Sequence, residues 1–294
     1  MESSGKTGRR YGLGVRLARI VALAVIIGIG FNHIWWSALD WHLSDMNAYW
    51  EAGLRLRMGE PLFPPVSDVH ASEVYRYSPW FAWLWAPVTV LPRELVNLAW
   101  SVILVAASVV AVAPLARRGA WVAVALFLPI LIGISAIGNA HALLIAALVL
   151  GLERRSGPLW IGVAASVKLF PIILVLTYLG RGEWWRAGAT VAITAVLLSP
   201  YLLYDLSNYV TSPGGGGLLW DVPIAYAAAV SVAFGASLYL AHTRWGWLAS
   251  SAAVVIAIPR SFLYDVSWVM VGTAAAPVRE DGTNGPFTRD TAAD

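Results

Sequence analysis

Apolar runs separated by short polar breaks fill the chain from Ile20 onward. The first runs from Ile20 to Trp36, and others lie near 78–92, 96–115, 120–137, 140–152, 158–180, 187–204, 221–241, 245–258 and 262–276. Each reads as a membrane segment. Several fall short of the roughly 20 residues a straight crossing needs, which predicts tilted, re-entrant or half-length helices among them. The fold class expected is an all-α polytopic membrane protein, a bundle of roughly 9–10 membrane segments.

The breaks between runs set the expected topology. Residues 1–19 carry Lys6, Arg9, Arg10, Arg16 and Arg19 against a single Glu2, which predicts a cytoplasmic N-terminus. The run behind them is long, ends in aromatics and lacks a small-residue cleavage site, so it reads as an uncleaved span rather than a signal peptide. The long polar stretch 37–77 then becomes a first extracytoplasmic loop carrying surface helices. Asp45 to Met58 has helical character, Gly59 ends it, and Pro61, Pro64 and Pro65 prevent its continuation. If 78–92 dips in and returns, and 158–180 breaks near Lys168–Pro171, every basic break (Arg117-Arg118, Arg154-Arg155, Arg181 to Arg186, Arg244) falls inside. His141, Lys168 and Arg260 then face the same side as the loop. Pro213 and the four glycines after it mark a flexible loop. Residues 1–276 read as one integral membrane domain and 277–294 as a disordered polar tail.

Composition sharpens this picture. The chain is 59% apolar and 13% charged, too little polar surface to clothe a soluble globule of 294 residues. Many of its 16 tryptophans stand where apolar runs meet polar ones, as in an interfacial aromatic belt. The absence of cysteine excludes disulfides, thiolate metal sites and a cysteine nucleophile. A net charge of +3 comes from arginines scattered in short loops, which is topology rather than a nucleic-acid footprint. No metal-ligand constellation stands out.

Few residues are placed for chemistry. Asp45 opens a surface helix where a lipid-borne substrate meets water; it reads either as that helix's cap or as a base for a hydroxyl nucleophile. Lys168 lies in an apolar run, where a cation costs at least about 2.5–3.5 kcal/mol. It therefore snorkels, pairs with an acid such as Asp265, or binds an anion. His141 reads as a structural hydrogen-bonder or a donor to phosphate. Arg260, beside Pro259, is a phosphate clamp or a topological anchor. Arg55, Arg57 and Arg76 read as solvated loop charges, Arg76 being the one placed to point inward. Tyr49 and Tyr77 read as packing or sugar-stacking groups.

The first loop resembles that of the C-fold glycosyltransferases, and is most similar to glycosyltransferase family 87, the polyprenyl-phosphate-mannose-dependent mannosyltransferases. The residues that carry the resemblance are Asp45, Tyr49, Ala52-Gly53, Gly59-Glu60-Pro61-Leu62-Phe63, Tyr77-Ser78-Pro79 and Leu91-Pro92. Gly138-Asn139 stands where the family often has Gly-Gln, and Lys168-Leu169-Phe170-Pro171 resembles its Lys-x-x-Pro. The stretch from Pro259 to Asp265 resembles a later proline-containing break. Phe63 stands in place of a tyrosine, Ser78 in place of a proline, and the chain is short for the family. The resemblance implies a C-fold-like bundle and an inverting transfer of a hexose, mannose in the family, to an acceptor hydroxyl at the extracytoplasmic face of the plasma membrane. Asp45 inherits the role of general base. Lys168, Arg260, His141, Arg76, Tyr49, Tyr77 and Asn139 are the expected donor-phosphate and substrate-binding residues. The implied partners are a polyprenyl-phosphate sugar donor, a lipid or glycan acceptor and membrane lipids, with no nucleic acid; the family is metal-independent and no cofactor is expected. Two other classes suit the same features: a transporter or flippase for a lipid-linked substrate, and a non-catalytic membrane scaffold.

Overall fold

The computed structural model describes residues 43–68, 71, 74–210, 218–259 and 262–275, with positions 20, 21, 24, 28 and 32 singly. The basic N-terminus, most of the first run, the glycine loop, Arg260 and the polar tail lie outside the described residues. Among the described residues every regular element is helical. They are α1 Ser44–Met58, α2 Pro79–Trp85, α3 Arg93–Arg117, α4 Trp121–Ala136, α5 His141–Gly151, α6 Gly157–Val167, α7 Val175–Gly180, α8 Trp184–Leu198, α9 Leu218–Asp221, α10 Pro223–Leu240, α11 Gly246–Ala257 and α12 Trp268–Ala274. Short 3₁₀ turns intervene at Val88–Val90, Phe170–Leu174, Ser199–Leu203 and Leu263–Ser267.

Among the described residues three helices are long and apolar enough to cross a membrane: Arg93–Arg117, Trp184–Leu203 (α8 with its 3₁₀ extension) and Pro223–Leu240. Five shorter apolar helices of 10–17 residues pack with them. The shortness has local causes. The run 158–180 breaks where Lys168 turns extended, φ −134°, after the last turn of α6. Pro171 then enters a 3₁₀ turn, since its ring carries no N–H for a continued α-helix. The result is a hairpin, α6 up and α7 back, with Lys168 at its tip. Eleven residues of α6 rise only about 16 Å, so the hairpin does not span a hydrocarbon layer of about 30 Å.

The run 78–92 does not form one continuous helix. It forms only the seven-residue α2 and one 3₁₀ turn, both tucked beneath α1. Ala52-Gly53 sits at that crossing: a Cβ on Gly53 would lie 2.7 Å from the Trp85 carbonyl carbon, so no other residue lets the two backbones meet. Ser78 hydrogen-bonds the Leu197 carbonyl at 3.1 Å and Trp83 the Tyr204 hydroxyl at 2.7 Å, fixing α2 to the end of α8.

α3 relates the two ends of the bundle. At its start, Arg93 bonds the Asn47 amide oxygen and lies 3.9 Å from Glu51, both on α1. Its last residue is Arg117, about 36 Å along the axis. There Arg118 holds the Thr273 and Ala275 carbonyls, Arg181 lies 3.6 Å from Glu153, and Arg186 reaches the Arg154 carbonyl. The basic breaks from Arg117 to Arg186 therefore gather at the end opposite α1. Some hydroxyls within the bundle pair across helices: Ser108 and Ser135 meet at 3.3 Å, and Thr177 and Ser250 at 2.6 Å.

Candidate active site

The site is built around the elbow between α4 and α5. Gly138 takes φ +78°, a left-handed conformation, and a Cβ there would lie 2.6 Å from the Met46 side chain. Only glycine lets the elbow close onto the start of α1. The contact is then made end to end: the Asp45 N–H, an orphan donor of the first turn, bonds the Ile137 carbonyl at 2.9 Å, just past the end of α4. Trp100 of α3 holds the Gly138 carbonyl at 2.7 Å.

With its backbone held this way, Asp45 sends its carboxylate away from its own helix. No side chain caps α1, which removes the capping role. Asn139 Nδ2 instead donates to Asp45 Oδ2 at 3.0 Å. The orientation of that amide follows from its other end: Asn139 Oδ1 accepts the His141 N–H at 2.9 Å, so the NH₂ group must face the carboxylate. Asp45 Oδ1 receives no hydrogen bond among the described residues. Burial pushes the Asp45 carboxyl above its ordinary value; the Asn139 bond and the charges of Lys168 and Arg76 oppose this without reversing it.

Lys168 approaches from the α6–α7 hairpin. Its ammonium lies 3.4 Å from His141 Nδ1 and 4.8 Å from the centre of the Tyr264 ring. His141 Nε2 lies 2.7 Å from Ser267 Oγ, whose hydroxyl also donates to the Tyr264 carbonyl at 2.7 Å. A serine has one hydroxyl proton, so His141 must donate through Nε2, which leaves Nδ1 as the acceptor turned to Lys168. The imidazole, wholly buried with the Trp268 ring at 4.6 Å, is thus a neutral support for the ammonium. No carboxylate forms an ion pair with Lys168 among the described residues. Asp265, the acid expected as its partner, accepts the Phe262 N–H at 2.8 Å instead.

Of the residues expected here, Asp45, Asn139, His141, Lys168 and Tyr77 converge. The Tyr77 hydroxyl lies 3.5 Å from Asn139 Nδ2, and burial, with the Asp45 charge behind it, pushes its phenol well up, so it stays protonated. Two expectations change. His141 has both ring nitrogens engaged inside the protein, so it supports Lys168 rather than offering a proton to phosphate. Tyr49 is fully buried, its hydroxyl accepting the Ala140 N–H at 3.3 Å and its ring packed edge-on against Tyr77 and Phe81. It holds the elbow and faces no substrate. Arg76 closes its own loop through the Ala71 and Val74 carbonyls, though its charge reaches Asp45. Tyr264 and Ser267 are the members not anticipated. Their signal was faint: polar groups just beyond Pro259, at a break in an apolar run. Neither described cavity includes Asp45; one of about 120 Å³ lies under the loop, between Phe63, Tyr75 and Arg55.

A family model, glycosyltransferase family 87, matches residues 75–276, more than half of the chain. The chain belongs to glycosyltransferase family 87. No curated protein and no solved structure matches it. The matched region of this family 87 chain takes in Tyr77, Asn139, His141, Lys168, Tyr264 and Ser267, and begins 30 residues after Asp45. Membership makes the chain a glycosyltransferase, and its apolar helices make it a membrane protein.

Proposed function

We propose that this glycosyltransferase moves a hexose, mannose by its family resemblance, from a polyprenyl-phosphate donor to an acceptor hydroxyl, with inversion, at the extracytoplasmic membrane face. One observation carries the reading. A half-buried carboxylate whose Oδ1 receives no hydrogen bond among the described residues stands within the field of Lys168, which forms no ion pair among those residues. Asp45 Oδ1 takes the proton of the acceptor hydroxyl while that oxygen attacks the anomeric carbon. The bond from that carbon to the phosphate oxygen breaks, and the phosphate leaves with the electron pair. A phosphate needs no proton to depart, so one base suffices. Its growing charge needs a cation, and Lys168 has N–H donors left for it. Arg260 keeps the companion clamp role that the resemblance gives it. Attack opposite the leaving group inverts the anomeric centre.

Membranes carrying the protein should incorporate labelled mannose from polyprenyl-phosphate-mannose and not from a nucleotide sugar. Lys168→Met should lower incorporation about 100-fold or more, on the scale of losing one stabilising donor to a developing anion. Incorporation at the wild-type level by Lys168→Met removes the clamp. Transfer from the nucleotide sugar alone removes the lipid-phosphate donor.

A further inference from the structure

At the end opposite Asp45 a cleft of about 410 Å³ opens between the ends of α3, α5 and α12. We infer that this cleft binds the headgroup phosphate of an anionic membrane phospholipid. Arg117, Arg118 and Arg154 line it, with Leu150, Leu152 and Glu153.

Three facts point to an anion. Glu153 is already taken, by the Trp247 indole and by Arg181 at 3.6 Å, and so does not neutralise the cleft. Arg117 and Arg154 are exposed and form no ion pair among the described residues; Arg118 spends one nitrogen on the Thr273 and Ala275 carbonyls. The bland account, that these arginines only offset helix ends, is too small. Three helix C-termini contribute about half a negative charge each, which leaves a surplus of about one and a half positive charges. A phosphodiester, with its single negative charge, offsets most of that surplus.

The rest of the lining decides for a lipid over a free phosphate. Half-exposed Leu150 and the neighbouring Val149 and Pro114 continue the cleft along the apolar sides of α3 and α5. Charge at the rim and apolar wall below is the arrangement in which basic pockets between membrane helices hold lipid headgroups. The site is remote from Asp45, so the inference does not depend on the transfer chemistry.

Native mass spectrometry of the detergent-purified protein tests it, with phosphatidylglycerol, phosphatidylcholine and glycerol 3-phosphate as separate probes. The wild type should retain phosphatidylglycerol about ten-fold better than phosphatidylcholine, and glycerol 3-phosphate hardly at all. Arg117→Ala with Arg154→Ala should abolish that preference without changing the lipid-free melting temperature. Arg154→Gln alone, a milder change at an exposed side chain, should weaken it and covers the event that the double variant folds poorly. Equal retention of the two lipids, an undiminished preference in both variants, or binding of glycerol 3-phosphate as tight as the lipid overturns the inference.

Discussion

At Asp45 burial acts against the charged form, while the Asn139 amide and the charges of Lys168 and Arg76 act for it; burial prevails, so the carboxyl titrates above its ordinary range. A base placed closer to the working pH accepts a proton more readily at the transition state. Transfer should therefore rise with pH through this elevated pKa and fall away below it. Asn139→Ala removes a hydrogen bond made to the charged form, worth about 1.5–3 kcal/mol. Its pH–rate profile should show the acid limb moved to higher pH, with a rate loss that shrinks in alkali; a limb that stays in place disconnects Asn139 from the base. The stability consequence has the opposite sign. A raised folded-state pKa means the protonated carboxyl favours folding, a contribution fully present below the ordinary carboxylate range and lost as pH rises through the elevated value. Asp45→Asn should then be no less stable than the wild type at neutral pH, which makes it a sound catalytic control.

The elements that carry these residues meet at the α4–α5 elbow, and Gly138 is its narrowest point. Gly138→Ala must hold a left-handed φ and displace Met46 as well. Strain of this kind costs of order 1–3 kcal/mol, so the variant should melt several degrees lower and lose transfer. An unchanged melting temperature and rate contradict the end-to-end docking of α1. How much of this was legible depended on the kind of signal. The break at Lys168–Pro171 could be read because proline leaves no N–H for the helix to use, and the end of α1 because Gly59 follows it. In the run 78–92 the apolar pattern could not separate the two faces of so short a helix: Phe81 and Trp85 are buried, while Trp83 and Leu84 are exposed. The support of Lys168 by His141, Ser267 and Tyr264 was hidden for another reason. Its members stand 126 and 27 residues apart, and no local pattern records such a partnership.

Over the whole molecule, the basic breaks and the carboxylate occupy opposite ends of a bundle whose α3 is long enough to cross a bilayer. The Arg-bearing loops could be placed together from the sequence because apolar helices of alternating direction return each break to one side. The family match covers α2 to α12 but not α1, and Asp45 itself is bonded to the matched region at the elbow, through Ile137 and Asn139. The account therefore stands on whether that carboxylate removes a proton during sugar transfer. The direct measurement separates donor binding from turnover in purified Asp45→Asn, with polyprenyl-phosphate-mannose as donor. Binding should stay within about two-fold of the wild type while single-turnover transfer falls about 10²–10⁴-fold, the usual contribution of a general base. Transfer at the wild-type rate, with donor binding intact, would contradict it.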